Sequence, residues 1–264
     1  MHMNELKSGL LLLGAVVAGV AGMTASAAAD SRSDHTYYRA NQTFRIQLYG
    51  SSQRVTIPKG TVVKGQVSGP YPGLTDPAKT RLEASFDLLT VNYQLKVKNG
   101  WPKKVHAGGI GEYTALNNVG RHLTATTRPK YMLESKGEMP AFTPTMKTSI
   151  WTGPWVTVTT DGYLESFGTV KHSRQRTEYR PQASAKITKF TQKGTHRYYY
   201  TQKAVKGLPT KRVATHGKYQ YRLTVTNLKK TKLQTPKNQS YANYYHVYKL
   251  GKQTYYTYAG NAES

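Results

Sequence analysis

The sequence predicts an all-β protein, with a β-sandwich or barrel-like N-terminal domain followed by a small, basic, tyrosine-rich β-module. Hydrophobic residues mostly alternate with polar ones, which is the period of a strand with one buried face. Helix-like stretches are scarce, and the β-prone runs are separated by glycine- and proline-containing turns. Tyrosine, with 21 copies against 5 phenylalanines, supplies most of the large side chains of the C-terminal part.

Residues 1–29 have the pattern of a secretory signal peptide. Lys7 precedes an apolar run over residues 9–23, and small residues lead up to Ala29, as signal peptidase requires. An uncleaved membrane anchor is the alternative, but the run is short for a bilayer span. We therefore expect a secreted mature protein that keeps no transmembrane anchor after cleavage.

The chain of 264 residues contains no cysteine. This excludes a lipid-modified cysteine, a thiol nucleophile and thiolate metal sites. Organisms that oxidise their exported proteins usually stabilise these proteins with disulfides. An exported protein without cysteine therefore fits a Gram-positive bacterium. The sequence lacks a full sortase-type signal, so any retention at the cell surface is expected to be non-covalent.

Residues 33–170 are predicted to form the N-terminal all-β domain. Phe44, Ile46 and Leu48 alternate with polar residues, and residues 53–67 predict two strands joined by a Pro-Lys-Gly turn. Apolar residues change from even to odd positions within residues 81–98. Because a strand cannot keep both sets on one face, we expect either a bulge near Leu88 or a helical turn before the strand.

Residues 155–168 predict a hairpin. Asp161-Gly162 stands between two β-prone arms, and this dipeptide favours a two-residue type I′ turn.

A polar and basic stretch at residues 171–186 is interpreted as a linker, and residues 187–264 as the basic module. Tyr219, Tyr221, Leu223 and Val225 predict one face of a strand whose other face carries Arg222 and threonines. Residues 188–201 and 246–258 share a pattern of strand, glycine-containing turn and paired tyrosines. Each is predicted to be a hairpin.

The net charge of +25 is distributed unevenly. Residues 30–165 carry 17 basic and 10 acidic side chains, whereas residues 166–264 carry 20 and 2. No acid occurs from Tyr179 to Ala262. Solubility alone does not require the removal of every carboxylate from so long a stretch, so the pattern favours a surface that binds polyanions.

The closing stretch YYHVYKLGKQTYYTYAGN (residues 244–261) resembles the closing hairpin of surface-layer-type wall-binding modules of lactobacilli. TIPKGTVVKG (residues 56–65) resembles the core hairpin of bacterial SH3-like modules. The resemblance implies that the C-terminal module is a small SH3-like β-barrel on a secreted protein that binds cell-wall polymers. It also implies that the hairpin includes Tyr248, Lys249, Lys252, Tyr255, Tyr256 and Tyr258.

The sequence contains none of the common enzyme motifs that we considered. The chain has no Gly-x-Ser-x-Gly, Ser-x-x-Lys or His-Glu-x-x-His motif and no nucleotide-binding loop, and we predict no cofactor or metal. A glycosidase needs two carboxylates, for which Glu112, Glu134, Glu138, Asp161 and Glu165 are the candidates. The alternative function is therefore a wall-modifying enzyme with its catalytic residues in 80–170 and the C-terminal module as anchor.

The favoured function is a non-enzymatic, secreted protein held at the cell wall by anionic polymer, with teichoic acid ahead of peptidoglycan and host glycosaminoglycan. Lysine and arginine neutralise the anions, and tyrosine offers a flat apolar face to sugar rings. A nucleic-acid partner is not expected, because the chain is exported and has no reading motif. The candidate ligand-binding residues are Arg174, Arg176, Arg180, Lys189, Lys193, Arg197, Tyr198, Lys211, Arg212, Lys229, Lys230, Lys249, Lys252, Tyr255 and Tyr256.

Overall fold

The computed structural model describes residues 36–47, 54–68, 83–87, 91–99, 104–105, 112–115, 122–133, 141–146, 154–169, 177–178, 180–235 and 240–263. These residues form 18 strands and one short helix, so the predicted all-β class is confirmed. The predicted signal peptide lies outside the described residues.

The first half of the chain forms a five-stranded antiparallel sheet in the order β7-β5-β4-β1-β8, with β2 paired to β3 and β6 paired to β12. Its elements are β1 (Thr36–Ala40), β2 (Phe44–Gln47), β3 (Arg54–Ile57), β4 (Val62–Ser68), β5 (Glu83–Asp87), α1 (Tyr93–Lys98), β6 (Lys104–Val105), β7 (Glu112–Ala115), β8 (Leu123–Thr126) and β12 (Thr177–Glu178). Phe44 and Ile46 are buried, as their alternation predicts.

The second half forms a nine-stranded sheet in the order β18-β17-β16-β14-β13-β11-β10-β9, with β15 also paired to β16. Thr143, beside β9, exchanges backbone hydrogen bonds of 2.9 and 2.7 Å with Tyr256 of β18, so the sheet nearly closes into a barrel. The strands are β9 (Ala141–Phe142), β10 (Trp155–Val158), β11 (Tyr163–Phe167), β13 (Ala183–Lys193), β14 (His196–Thr201), β15 (Lys211–Arg212), β16 (Tyr221–Gln234), β17 (Tyr241–Leu250) and β18 (Gln253–Glu263).

The barrel contains strands from both sides of the predicted linker. β11 pairs with β13, and β13 begins at Ala183, whereas the linker was predicted to reach residue 186. The alternation of inward Ala185 and Ile187 with outward Lys186 already has the period of a strand. Residues 183–186 of the predicted linker are therefore strand residues, with Lys186 on the solvent-facing side.

The main hydrophobic core lies inside the barrel, where Tyr199, Leu223 and Leu250 have no measurable exposure. Residues 128–133, which we call the inserted segment, place Met132 and Leu133 in this core. The Tyr199 hydroxyl donates a 2.9 Å hydrogen bond to the Tyr131 carbonyl and thereby fixes this segment against β14. The inserted segment thus belongs to the barrel, although it follows the N-terminal sheet in sequence.

Within residues 81–98 the structure describes strand β5 followed by helix α1, and neither a bulged strand nor a helical turn before a strand. The even-numbered Ala84 and Phe86 lie in β5, and the odd-numbered Tyr93, Leu95 and Val97 lie in α1. Asn92 caps α1, since its side-chain oxygen accepts a 3.1 Å hydrogen bond from the Leu95 amide. The change of period therefore marks a change of secondary structure.

The predicted hairpin at residues 155–168 is confirmed, but its turn is not the predicted two-residue type. Thr159 donates a backbone hydrogen bond of 2.8 Å to Tyr163, which leaves three residues in the loop. Gly162 alone takes a positive φ, +82°, while Asp161 does not, so a type I′ turn is excluded. The additional residue brings the Asp161 carboxylate to the backbone amide of Asn92, at 3.1 Å.

The Pro-Lys-Gly turn connects strands that do not pair with each other. β3 pairs with β2, and β4 pairs with β1 and β5. Residues 56–65 therefore cross between two sheets and do not form the hairpin that the SH3-like resemblance implies.

The two predicted tyrosine hairpins, β13–β14 and β17–β18, are confirmed and use the same turn. Each has a two-residue loop that begins with a glycine, Gly194 at φ +56° and Gly251 at φ +60°. Glycine with positive φ in the first position fits a type II′ turn. Their surroundings differ, because a side chain on Gly251 would meet Pro209 at 2.8 Å and one on Gly194 would meet nothing within 4 Å.

We expect Gly251→Ala to destabilise the protein more than Gly194→Ala. The strained φ costs both variants about 1–2 kcal/mol, and the contact with Pro209 adds about 1 kcal/mol or more for Gly251→Ala alone. Urea unfolding followed by tyrosine fluorescence measures both losses. Equal losses in the two variants would contradict the packing of Pro209 against this turn.

Candidate ligand-binding surface

The outer face of the barrel carries a row of cationic and aromatic side chains across four strands. Opposite residues of antiparallel strands project to the same side of a sheet. Lys189 pairs with Tyr200, Tyr200 with Arg222, and Arg222 with Lys211. Lys189 and Lys211 are exposed, and Tyr200 and Arg222 are half-buried, so this row faces solvent.

Two further rows follow on the same side, because side chains two residues apart share a face. We call the three rows together the cation–tyrosine face. It consists of Lys189, Tyr200, Arg222 and Lys211 in the first row, Thr191, Tyr198 and Thr224 in the second, and Lys193, His196, Thr226 and Lys249 in the third.

Cations of this face lie against tyrosine rings. The Lys189 Nζ is 5.5 Å from the ring centre of Tyr200 and 5.6 Å from that of Tyr219. The Arg222 guanidinium carbon is 5.3 Å from the ring centre of Tyr198. The electron-rich faces of the rings attract these cations and restrict their motion. A ligand that binds here consequently meets partly ordered charges, which reduces the entropy lost on binding.

The inner side of the same strands keeps the surface rigid. Tyr199, between Tyr198 and Tyr200 in sequence, is fully buried, and burial raises its pKa to about 12. Arg197 is also buried, and its Nη1 donates a 2.9 Å hydrogen bond to the Met132 carbonyl. The residues on the face are therefore mounted on strands that are packed against the core and the inserted segment.

The candidate residues predicted from the sequence fall into five groups. Lys189, Lys193, Tyr198, Lys211 and Lys249 lie together on the cation–tyrosine face. Arg174 and Arg176 lie outside the described residues, and Tyr256 is half-buried. Arg197 and Tyr255 are buried, so they support the barrel. The remaining candidates are exposed elsewhere, and these are Arg180, Arg212, Lys229, Lys230 and Lys252.

Sequence reasoning missed three contributors to the surface. Arg222 and Tyr200 complete the first row, and Tyr219 lies beside Tyr200 with a ring distance of 6.4 Å. The alternation in residues 218–226 had placed Arg222 on the outer side, but it did not show which strands lie next to it. Tyr219 was considered for packing, whereas 47% of its surface is exposed.

Of the carboxylates considered for catalysis, the structure describes the side chains of Glu165 and Asp161, and both accept hydrogen bonds from within the fold. Glu165 has no exposed surface, and its Oε1 accepts hydrogen bonds from the Tyr93 amide at 2.9 Å and the Ser184 hydroxyl at 3.0 Å. Asp161 accepts two hydrogen bonds from Asn92, one from the amide and one from the side chain. Glu134 and Glu138 lie outside the described residues, as does the side chain of Glu112.

Comparisons with known proteins give no relative on which to base a function. No protein-family model, curated protein or solved structure matches the chain. Within the described ranges, no helix has the length and apolar character needed to cross a membrane. The same ranges hold no group of three or more metal-ligating side chains.

Proposed function

We propose that this is a secreted, non-enzymatic binding protein that attaches without a covalent bond to anionic cell-wall polymer through the cation–tyrosine face. Teichoic acid is the first candidate ligand. Peptidoglycan follows, and host glycosaminoglycan is a further polyanion with the same chemistry. The N-terminal signal pattern supports export.

The observation that carries this proposal is the register of the five strands β13 to β17. It brings Lys189, Arg222 and Lys211 into one row around Tyr200, and Lys193 and Lys249 into a parallel row. Strands are about 4.8 Å apart and alternate residues about 6.8 Å apart. The charges are therefore spaced closely enough for several anions of one chain to be bound at once.

The charge of the surrounding chain strengthens the attraction. From Arg180 to Ala262 the sequence contains no carboxylate that could neutralise the face from within the same strands. Lysine and arginine displace the counterions of a polyanion, and their release favours binding at low salt. Half-buried tyrosines add apolar surface that packs on sugar or polyol units.

Retention on purified walls tests the proposal. The mature protein is bound to walls of a Gram-positive bacterium, both intact and stripped of teichoic acid, and then washed with rising chloride. We expect retention on intact walls to fall steeply with salt, because screening and counterion competition weaken every ionic contact. Stripped walls should retain much less protein. Retention that molar chloride does not reduce would overturn the proposal.

A further inference from the structure

Two clefts border the inserted segment and share two of its cations. The first has a volume of about 480 Å³ and is lined by Arg39, Arg128, Lys130, Tyr131 and Asp161, among others. The second, of about 420 Å³, is lined by Arg128, Lys130, Phe190, Thr191, Gln192 and Arg197. Both volumes are in the range of small-molecule sites. Because Arg128 and Lys130 line both clefts, they stand between them.

The first cleft has more positive than negative charge. Arg39, Arg128 and Lys130 line it against a single carboxylate, Asp161. That carboxylate is engaged by the amide and the side chain of Asn92 at the start of α1. Concave surfaces lined by one sign of charge concentrate the field, so the cleft attracts an oxyanion.

The second cleft has no acidic residue among its lining residues. Arg197 contributes a buried guanidinium whose Nη1 is bonded to the Met132 carbonyl, so it holds the inserted segment in place. Phe190 offers an apolar wall and Gln192 a polar one. This combination of cations, one aromatic ring and an amide suits an anionic sugar or polyol unit.

The second cleft adjoins the cation–tyrosine face. Thr191 lines the cleft and also belongs to the second row of the face. β11 pairs with β13 only at residues 183–186, so the described strands leave the β11 side of β13 unpaired near Thr191. A polymer that lies on the face can therefore continue over this side of β13 into the cleft.

We propose that the two clefts are neighbouring subsites for consecutive units of a linear polymer with one oxyanion per unit. Arg128 and Lys130 contact the linkage between these units. This inference rests on the proposed function for the type of ligand, but its site lies beside the cation–tyrosine face and shares only Thr191 with it. It adds a length requirement, because a single unit fills one subsite and a longer chain fills both.

Calorimetry with short oligomers tests the two subsites. The probes are glycerol phosphate, its phosphodiester-linked dimer and tetramer, and a galacturonate tetramer with the same number of oxyanion groups as the phosphate tetramer. We expect the phosphate tetramer to bind the mature protein at least about tenfold more tightly than the monomer, because the second subsite is filled at high effective concentration. The two tetramers show whether phosphate or carboxylate is preferred.

The variant Arg128→Gln/Lys130→Gln should reduce the ratio of tetramer to monomer affinity to about twofold or less. Both residues are exposed, so we expect the variant to fold, and Lys130→Gln alone provides a milder version. Arg45→Gln/Arg54→Gln removes two exposed charges on β2 and β3 and should keep the ratio.

An unchanged ratio in folded Arg128→Gln/Lys130→Gln would overturn the two-subsite proposal, as would equal affinities of monomer and tetramer for the unmodified protein. Wall retention, measured in parallel, separates this failure from that of the proposed function. If the walls retain the protein in a salt-sensitive way while Arg128→Gln/Lys130→Gln keeps the ratio of tetramer to monomer affinity, only the two-subsite proposal is wrong.

Discussion

At a pH above the pKa of Glu165 in the folded protein, where its carboxyl group is ionised, Glu165→Ala is expected to lower the free energy of unfolding by about 3–5 kcal/mol, the usual cost of removing one partner from a buried ion pair. Glu165 has no exposed surface, and the charge of the buried Lys96 on α1 stabilises its ionised form. The substitution leaves Lys96 without this carboxylate and the Tyr93 amide without its acceptor. Chemical denaturation of the mature protein measures the loss.

The same residue should make stability depend on pH. Burial raises the pKa of Glu165 above its usual value of 4.5, although Lys96 and the hydrogen bonds from Tyr93 and Ser184 act in the opposite direction. Between pH 4.5 and this raised pKa, the native state therefore holds a proton that the unfolded state has lost. The resulting stabilisation is complete below pH 4.5 and is lost as the pH rises through the pKa of the folded protein.

Glu165→Gln is the matched variant for this pH effect, because the amide resembles the protonated carboxyl and does not titrate. The difference in unfolding free energy, unmodified protein minus variant, should increase as the pH is lowered from 8 toward 4.5. A difference that is constant over this interval would contradict the raised pKa.

A double-mutant cycle separates the charge interaction from packing. Replacing both Glu165 and Lys96 by apolar residues, as in Glu165→Leu/Lys96→Met, removes both buried charges together. This double variant should lose less stability than the two single changes combined, by about 2 kcal/mol. Additive losses would show that Lys96 and Glu165 do not interact.

Removing the charges of the cation–tyrosine face is expected to lower the affinity for teichoic acid by about a hundredfold or more. The variant is Lys189→Gln, Lys211→Gln, Arg222→Gln and Lys249→Gln. Each cation near a polyanionic surface contributes about 1 kcal/mol at physiological salt. Lys189, Lys211 and Lys249 are exposed and Arg222 is half-buried, all on the outer side of the sheet, so the core should stay intact.

The control for this variant loses the same charge from the N-terminal part. It carries Arg45→Gln, Arg54→Gln, Lys59→Gln and Lys98→Gln, all at exposed positions. If net charge alone causes binding, the two variants will lose equal affinity. A loss confined to the face variant is the result that the register predicts.

Much of the strand content could be predicted from the sequence, since hydrophobic alternation fixes which residues face inward. The alternation at Phe44 and Ile46 and at Leu223 and Val225 agrees with their burial. Alternation does not determine which strands pair, however. The pairing of β11 with β13, which joins both sides of the predicted linker in one sheet, depends on distant contacts.

For the candidate site, too, the sequence predicted which residues are involved but not which strands bring them together. Basic composition identified Lys189, Lys211 and Lys249 as candidates, but composition could not separate them from Lys229 or Arg212, which are equally basic and exposed. Only cross-strand register places the first three on one face with Arg222. The burial of Glu165 was also unpredictable, because α1, which covers this strand, comes from a region where the period changes.

The salt dependence of binding to teichoic acid tests the central claim most directly. The logarithm of the association constant should fall linearly with the logarithm of salt concentration, and each ionic contact with a flexible polyanion contributes about 0.7 to the slope. The face variant should therefore show a slope smaller by about three, while the N-terminal control keeps the slope of the unmodified protein. Equal slopes in all three proteins would contradict binding through the cation–tyrosine face.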